Sequence, residues 1–439
     1  MKNRKLLSLF FLTFIISSLN AEVLVFSKAY QLALENAHSI KASVFKTEGA
    51  KERLTQEKAR LYPQINLSAY YKKSQYNYNE NYNATGDTIK QGLINYSLSV
   101  KQSIYNAEIY SKISLERSRS ELYAVGVELE KEELAQSVFK VYLDLLKTRN
   151  KIELYNSHLK YTKSKLDELT KRYEMKLASK MDFLEMGVEY KSAKIDLKKE
   201  KKLLIVHQLK LKQLIGENEY ELPTIKSDKQ ILESIESMRL SVLDKSDFSS
   251  NLQLLQAQLA LKLSKKDIEN SFDAHYPRLD LDISLSAYET DDPTSDSLYK
   301  DTQSIMLVLN VPVYSGGRVS SRVRELELNS NAASEELINT NKEIKVKYDE
   351  YMALFEASTE STSMYKDALE SSVLYVDAIE QGYSHGLKSI IDLNDAKSKL
   401  YEVKYKYIEN IYAMVDSYIG LLIVTNNFEH IELLDKLVE

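Results

Sequence analysis

Tyr276-Pro277-Arg278-Leu279-Asp280-Leu281-Asp282-Ile283-Ser284-Leu285-Ser286-Ala287-Tyr288 alternates apolar and polar residues from Leu279 to Ala287. A period of two means a strand with one apolar and one polar face. Pro277 has no amide donor, so it marks where the ladder starts. Asp280 and Asp282 share the polar face, and a dry core would not tolerate them unpaired. That side therefore meets water. The run is about as long as a tilted strand needs to cross a bilayer.

Outward from this stretch the pattern recurs three times. After Pro63, Ile65, Leu67, Ala69 and Tyr71 alternate with Asn66, Ser68 and Tyr70. Ile94, Tyr96, Leu98 and Val100 follow, and later Ile305, Leu307, Leu309, Val311 and Val313. The strands pair as 63–76 with 92–105 and 278–290 with 303–314. One connecting loop is rich in Asn (Asn77, Asn79, Asn81, Asn83) with Gly86; the other holds Asp291, Asp292, Pro293, Ser295 and Asp296. Two soluble hairpins capping a coiled coil would show the same alternation. In lipid the count decides. Open sheet edges cannot face hydrocarbon, and a single-chain barrel needs at least eight strands. Two copies would give eight strands around a lumen filled by side chains. Three copies give twelve strands and an open lumen.

Between the strands the period lengthens. Residues 106–175 and 317–383 contain no Pro, the residue that breaks helices. Val138, Tyr142, Leu145, Ile152, Leu159 and Leu166 step by three, four or seven, as do Leu337, Ile344, Tyr348, Tyr351 and Phe355. A sustained heptad implies coiled packing. A helix of about 70 residues is roughly 100 Å long. Shorter helices at about 27–60, 181–216, 249–275 and 389–424 would lie end to end beside the two long ones. Gly216 and Gly420 read as caps of the return helices. Tyr173, Leu177, Ser179 and Asp182 match Tyr383, Leu387, Ser389 and Asp392 at one constant offset. The chain thus reads as two internal repeats, 22–222 and 249–425, joined by an equatorial linker at 223–248 and followed by a tail at 426–439.

Lys2, Arg4 and Lys5 precede an apolar run from Leu6 to Ile16, and Ala21 is a plausible last residue before cleavage. Residues 1–21 read as a signal peptide, too short for a membrane helix. No other stretch is expected to serve as one. With no Cys, a disulfide scaffold, a thiol nucleophile and a lipid-modified N-terminal Cys are excluded. Net charge is −5 with both signs interspersed, so no basic stripe points to nucleic acid. His38, His158, His207, His275, His385 and His430 form no metal-binding spacing and read as surface or turn residues. Gly316-Gly317-Arg318 is not a phosphate loop. No catalytic constellation is visible, so neither an enzyme nor a cofactor or metal is expected.

Three passages resemble the TolC-like outer-membrane efflux family. Val311-Pro312-Val313-Tyr314-Ser315-Gly316-Gly317-Arg318 resembles its second strand-to-helix junction, where Pro312 ends the ladder and Gly316 and Gly317 let the chain swing into a helix. Gly382-Tyr383 through Gly386, Ser389, Ile390, Asp392, Leu393 and Asp395 resembles its periplasmic tip, and Arg172-Tyr173 to Asp182 the equivalent tip of the first repeat. The resemblance covers essentially the whole mature chain. It implies a mainly α fold with a small membrane β part: a homotrimer, a twelve-stranded barrel with four strands per copy, and a coiled-coil tunnel tapering to a closed periplasmic aperture. Asp392 and Asp395 stand at the constriction. Asp182, Tyr383 and Lys388 stand where polar links latch the closing helices. Lys388 replaces an Arg and lacks the planar fork of guanidinium. The resemblance also implies an outer-membrane location in lipid, a periplasmic adaptor (membrane fusion) protein, and an inner-membrane transporter of RND, ABC or MFS type. Drugs, metal ions and secreted proteins all fit as cargo. A periplasmic or surface coiled-coil adaptor without a channel is the alternative from another class.

Overall fold

A computed structural model describes residues 23–77, 88–216, 248–291 and 298–426, together with Tyr220, Pro223 and Asp435. The expected leader, the tips of both hairpin loops (Asn79 to Gly86, and Asp292 to Asp296), most of the linker and most of the tail lie outside these residues. In chain order the elements are α1 (Phe26–Asn36), α2 (His38–Ala59), β1 (Gln64–Asn77), β2 (Thr88–Asn106), α3 (Ala107–Glu174), α4 (Lys180–Ile215), α5 (Leu252–Asp273), β3 (Arg278–Asp291), β4 (Leu298–Asn310), α6 (Arg318–Ser384) and α7 (Ile390–Val424).

The four strands form one antiparallel sheet in the order β1-β2-β3-β4, which leaves β1 and β4 as edges. Register carries the alternation across all four. Ile65 pairs with Val100, Val100 with Ile283, and Ile283 with Ile305. Leu67, Leu98 and Leu285 form the next apolar row. On the opposite face Ser284 and Ser304 share a 2.8 Å hydrogen bond, and Lys101 stands 4.0 Å from Asp280. No helix packs across the sheet among the described residues. The apolar face is therefore bare: Leu67 is 77% exposed and Ile305 76%. A soluble sheet buries such a face.

Three strand bounds differ from the sequence reading by four residues or more. β2 begins at Thr88 rather than at 92, because its pairing with β1 continues to Asn77. β4 begins at Leu298 because Glu289 and Thr290 of β3 impose a partner on residues that do not alternate. It ends at Asn310, so Val311 and Val313 lie beyond the ladder. Pro312 cannot donate to it, and Val313 and Tyr314 project into solvent. Gly316 (φ 63°) and Gly317 (φ 78°) then take left-handed conformations that start α6. β2 carries a bulge between Ser103 and Tyr105, just before it runs into α3. Asn106 caps α3 by accepting from Glu108 N at 3.1 Å.

α3 holds 68 residues, close to 100 Å. α2 and α5 flank its upper half and α4 its lower half, while α6 packs on α5 and α7. The half-length helices meet end to end. Asn36 Nδ2 donates to the Gln213 and Leu214 carbonyls at the end of α4, at 3.3 and 3.1 Å. Asn251 Nδ2 donates to Val424 O at the end of α7, at 2.9 Å. The first of these junctions corrects the single helix expected over 27–60. The chain turns extended at Ala37 (ψ 94°), and Asn36 satisfies carbonyls that α4 leaves open.

The main core gathers around this waist. Phe26 meets Phe139 edge-on at 5.2 Å and Tyr142 at 6.0 Å, and Phe355 lies 6.0 Å from Tyr418. A second core near the far tips joins Leu169, Met186, Val376, Ile390 and Leu393. α7 corrects two expectations. By length and composition it could cross a membrane, yet 67% of its apolar stretch is buried among the other helices. Gly420 is no cap: it lies inside α7, pressed against the Tyr351 ring, and the helix ends at Thr425. Gly216 does close α4, at φ 83°.

Candidate pore aperture and the hairpin seam

Both long helices turn back through tight, similarly built tips. After α3, Leu177 N donates to Arg172 O at 2.7 Å with Lys176 at φ 58°, and Ser179 caps α4 by accepting from Asp182 N at 3.1 Å. After α6, Leu387 N donates to Gly382 O at 2.8 Å with Gly386 at φ 76°. Ser389 then caps α7 through a full capping box. Its Oγ accepts from Asp392 N at 3.1 Å, while Asp392 Oδ2 accepts from Ser389 N and Oγ at 2.9 and 2.8 Å.

Those bonds hold the Asp392 carboxyl below its usual range, with the nearby Lys388 charge adding to them. Asp392 is therefore charged at neutral pH. Asp395 lies three residues on, sharing its helix face, and is exposed. Its charge reaches α4, where Glu189 is raised first by burial and then by Asp196, Asp395 and Glu185. The structure thus sets Asp392 and Asp395 on one helix face just past the turn that closes the hairpin.

Within one copy, the three residues expected to latch the tip are divided between the two hairpins. Tyr383 Oη accepts from Arg172 Nη1 at 3.0 Å, across the two hairpins. Lys388 lays its stem against Gly382, where an added Cβ would come within 2.8 Å of Cγ. Asp182 sits half-exposed in the first turn of α4. Tyr383 and Lys388 are thus together on one tip and Asp182 is on the other, with Arg172 as the bond between tips.

Arg172 ends a basic column that sequence reasoning missed. Lys151, His158, Lys165 and Arg172 recur every seven residues on α3, and each meets a tyrosine of α6 or α7. Lys151 Nζ donates to Tyr405 Oη at 2.7 Å and Glu409 Oε1 at 2.9 Å, and lies 4.1 Å from the Tyr405 ring centre. His158 is not a surface residue. Its ring lies 4.2 Å from Tyr401, with Nε2 3.4 Å from Glu189. Lys165 is 5.6 Å from the Tyr383 ring and Arg172 6.0 Å. In the reverse sense, Lys397 pairs with Glu380 at 3.1 Å and stands 5.0 Å over Tyr161. Cations over aromatic faces gain about 0.5–2 kcal/mol each as water is excluded. The available signal was a seven-residue spacing of bases facing helices rich in Tyr. His207, also expected at the surface, is buried between helices. Among the described residues no group of His, Asp and Glu is placed to hold a metal.

Lys151 anchors the column. Burial alone would lower its pKa, but the hydrogen bonds to Tyr405 and Glu409 outweigh that and raise it. Burial likewise opposes the Glu409 charge, and the bonds from Lys151 and Tyr405 outweigh it and lower that pKa. Glu409 is half-exposed, so Lys151→Ala should cost only about 1–2 kcal/mol at neutral pH. A depressed carboxyl contributes stability above its unfolded value, and loses it as pH falls through the folded one. The deficit of Lys151→Ala in thermal melts should therefore shrink below pH 4.5. A deficit unchanged down to pH 3 would refute the ion pair.

A bare apolar sheet joined to helical hairpins of about 100 Å, one tip carrying a pair of acids, is the architecture of an outer-membrane channel-tunnel. The chain belongs to the outer membrane efflux protein family, whose model matches residues 29–217 and 248–427. It is similar to the outer membrane protein TolC of Escherichia coli (strain K12), 25% identical over 401 residues that span 87% of this chain and 80% of that one. Its fold is similar to that of CusC, at a TM-score of 0.78 and 16% identity over 91% of each chain. It is also similar to the CmeC outer membrane channel of Campylobacter jejuni, at 0.76 and 14% identity over 94% of this chain and 90% of that one. The protein is an outer-membrane efflux component that reaches into the periplasm.

Proposed function

We propose that three copies close a twelve-stranded barrel continuous with a helical tunnel, forming a passive exit duct from periplasm to medium. One observation carries this reading: the sheet has a bare apolar face and two open edges, β1 and β4. Lipid tolerates the face and forbids the edges, so the edges must pair between copies. Each copy contributes two repeats, 22–222 and 249–425. At the periplasmic end, Asp392 and Asp395 of three copies bring six carboxylates to the constriction, which favours cations. Asp182, Tyr383 and Lys388 latch neighbouring hairpins, and Arg172 adds a bond within each copy. In this reading the duct is passive, acting neither as an enzyme nor with a cofactor. A periplasmic adaptor and an inner-membrane transporter of RND, ABC or MFS type drive the cargo.

Purified protein added to a planar bilayer should give discrete, cation-selective conductance steps. An intact, detergent-solubilised oligomer that inserts without conducting would contradict the duct.

A further inference from the structure

Within one copy, the helices below the waist run α4, α3, α7, α6 around the wall: α4 packs on α3, α3 on α7, and α7 on α6. α4 and α6 are thus the two flanks. Each carries a heptad that nothing in the copy covers. On α4, Met181, Leu184, Val188, Ile195, Ile205 and Leu209 occupy a and d positions of one frame, all 45–69% exposed. The same frame puts exposed Lys191, Lys198 and Lys202 at its centre. On α6, one frame holds exposed Val346, Ala353, Met364 and Leu374, with exposed Glu360 and Asp367 between them.

The two flanks carry opposite charge. From Lys191 to Lys202, α4 has six lysines against Asp196 and Glu200. From Glu350 to Asp377, α6 has six acids against Lys366 alone. They also match in height. The Arg172–Tyr383 bond holds the two tips level. α4 climbs from Lys180 and α6 descends to Ser384, each at about 1.5 Å per residue. Lys198 therefore stands level with Lys366, one residue from Asp367, while Glu360 lies about 3 Å above the level of Lys202 and Glu370 about 4.5 Å above that of Lys191, both within reach of a lysine side chain.

We propose that α4 of one copy packs on α6 of the next through this heptad, with apolar ends and a lysine–acid centre. This rests on the three-copy reading and names the surface that assembles it. The contact joins two different faces, so it is head-to-tail and closes when the third copy meets the first. Charges at a helical seam fix partner and orientation. They are also screened by salt, with a Debye length of about 10 Å at 0.1 M.

The chain has no Cys, so introduced pairs report alone. Lys198→Cys would be combined in turn with Glu360→Cys, Asp367→Cys and Leu374→Cys, and the purified particle treated with a short bis-maleimide. Cross-linked chains should be several-fold more abundant with Asp367→Cys than with the other two. A particle of three chains that yields no cross-link with any pair overturns the seam and leaves the trimer standing. A single chain per particle overturns both. In a second arm, Lys191→Glu, Lys198→Glu and Lys202→Glu together should cut the fraction of trimer surviving dilution at low salt at least tenfold. Adding Glu360→Lys, Asp367→Lys and Glu370→Lys to the same chain should restore it. Reversal without loss, or loss without rescue, would overturn the proposal.

Discussion

Gly420→Leu is expected to destabilise the helical tunnel by about 3 kcal/mol, the upper end of the usual overpacking cost. A Cβ at this position would overlap the ring atoms of Tyr351. The ring cannot swing clear, because it packs into the waist core that also holds Phe355 and Tyr418. α7 would have to move off α6, and the neighbouring Met414, Tyr418 and Leu421 are almost fully buried. Thermal unfolding followed by circular dichroism in detergent should fall well below the parent, with Gly420→Ala in between. A melting point equal to the parent's for Gly420→Leu would mean that α6 and α7 do not approach this closely.

The second large effect concerns the aperture. In the proposed three-copy channel Asp395→Ala would remove three of six carboxylates from the constriction, and cation selectivity should fall several-fold in planar bilayers. Asp395 is the cleaner test, because Asp392 also completes the Ser389 capping box and its loss costs helix stability. Asp182→Ala with Lys388→Ala should raise conductance several-fold by releasing contacts between hairpins. Arg172→Ala, which breaks the bond within a copy, should add to that increase. Unchanged conductance and selectivity in intact oligomers would place the constriction elsewhere.

Much of the fold could be read from period alone. The switch between two and seven, the positions of Pro63 and Pro277, and the long Pro-free runs located strands and long helices, because these signals are local. What failed depended on distant neighbours. β4 starts at Leu298 because β3 imposes partners there, although residues 298–303 show no alternation. The break at Ala37 follows from the end of α4, which lies far away in sequence. Gly420 looked like punctuation, but the space it leaves is filled by Tyr351 from another helix. α7 is apolar enough for a membrane because it lies in the middle of the helical wall.

The two tips were legible as turns, and the contacts between them were not. The tips, Asp392, Asp395 and Tyr383 stood out through matched spacing and resemblance. The basic column from Lys151 to Arg172 did not, because lysines on a long helix ordinarily signal a solvated face. The tyrosines and Glu409 of the opposite hairpin give that column its partners, and their placement is tertiary. The same is true of the two uncovered flanks, whose heptads were hidden behind the stronger core-facing ones.

Everything rests on four strands being too few to shield their own edges in lipid. Native mass spectrometry of the detergent-released particle tests that most directly. Three chains per particle are expected, and a particle holding one or two chains would contradict the account.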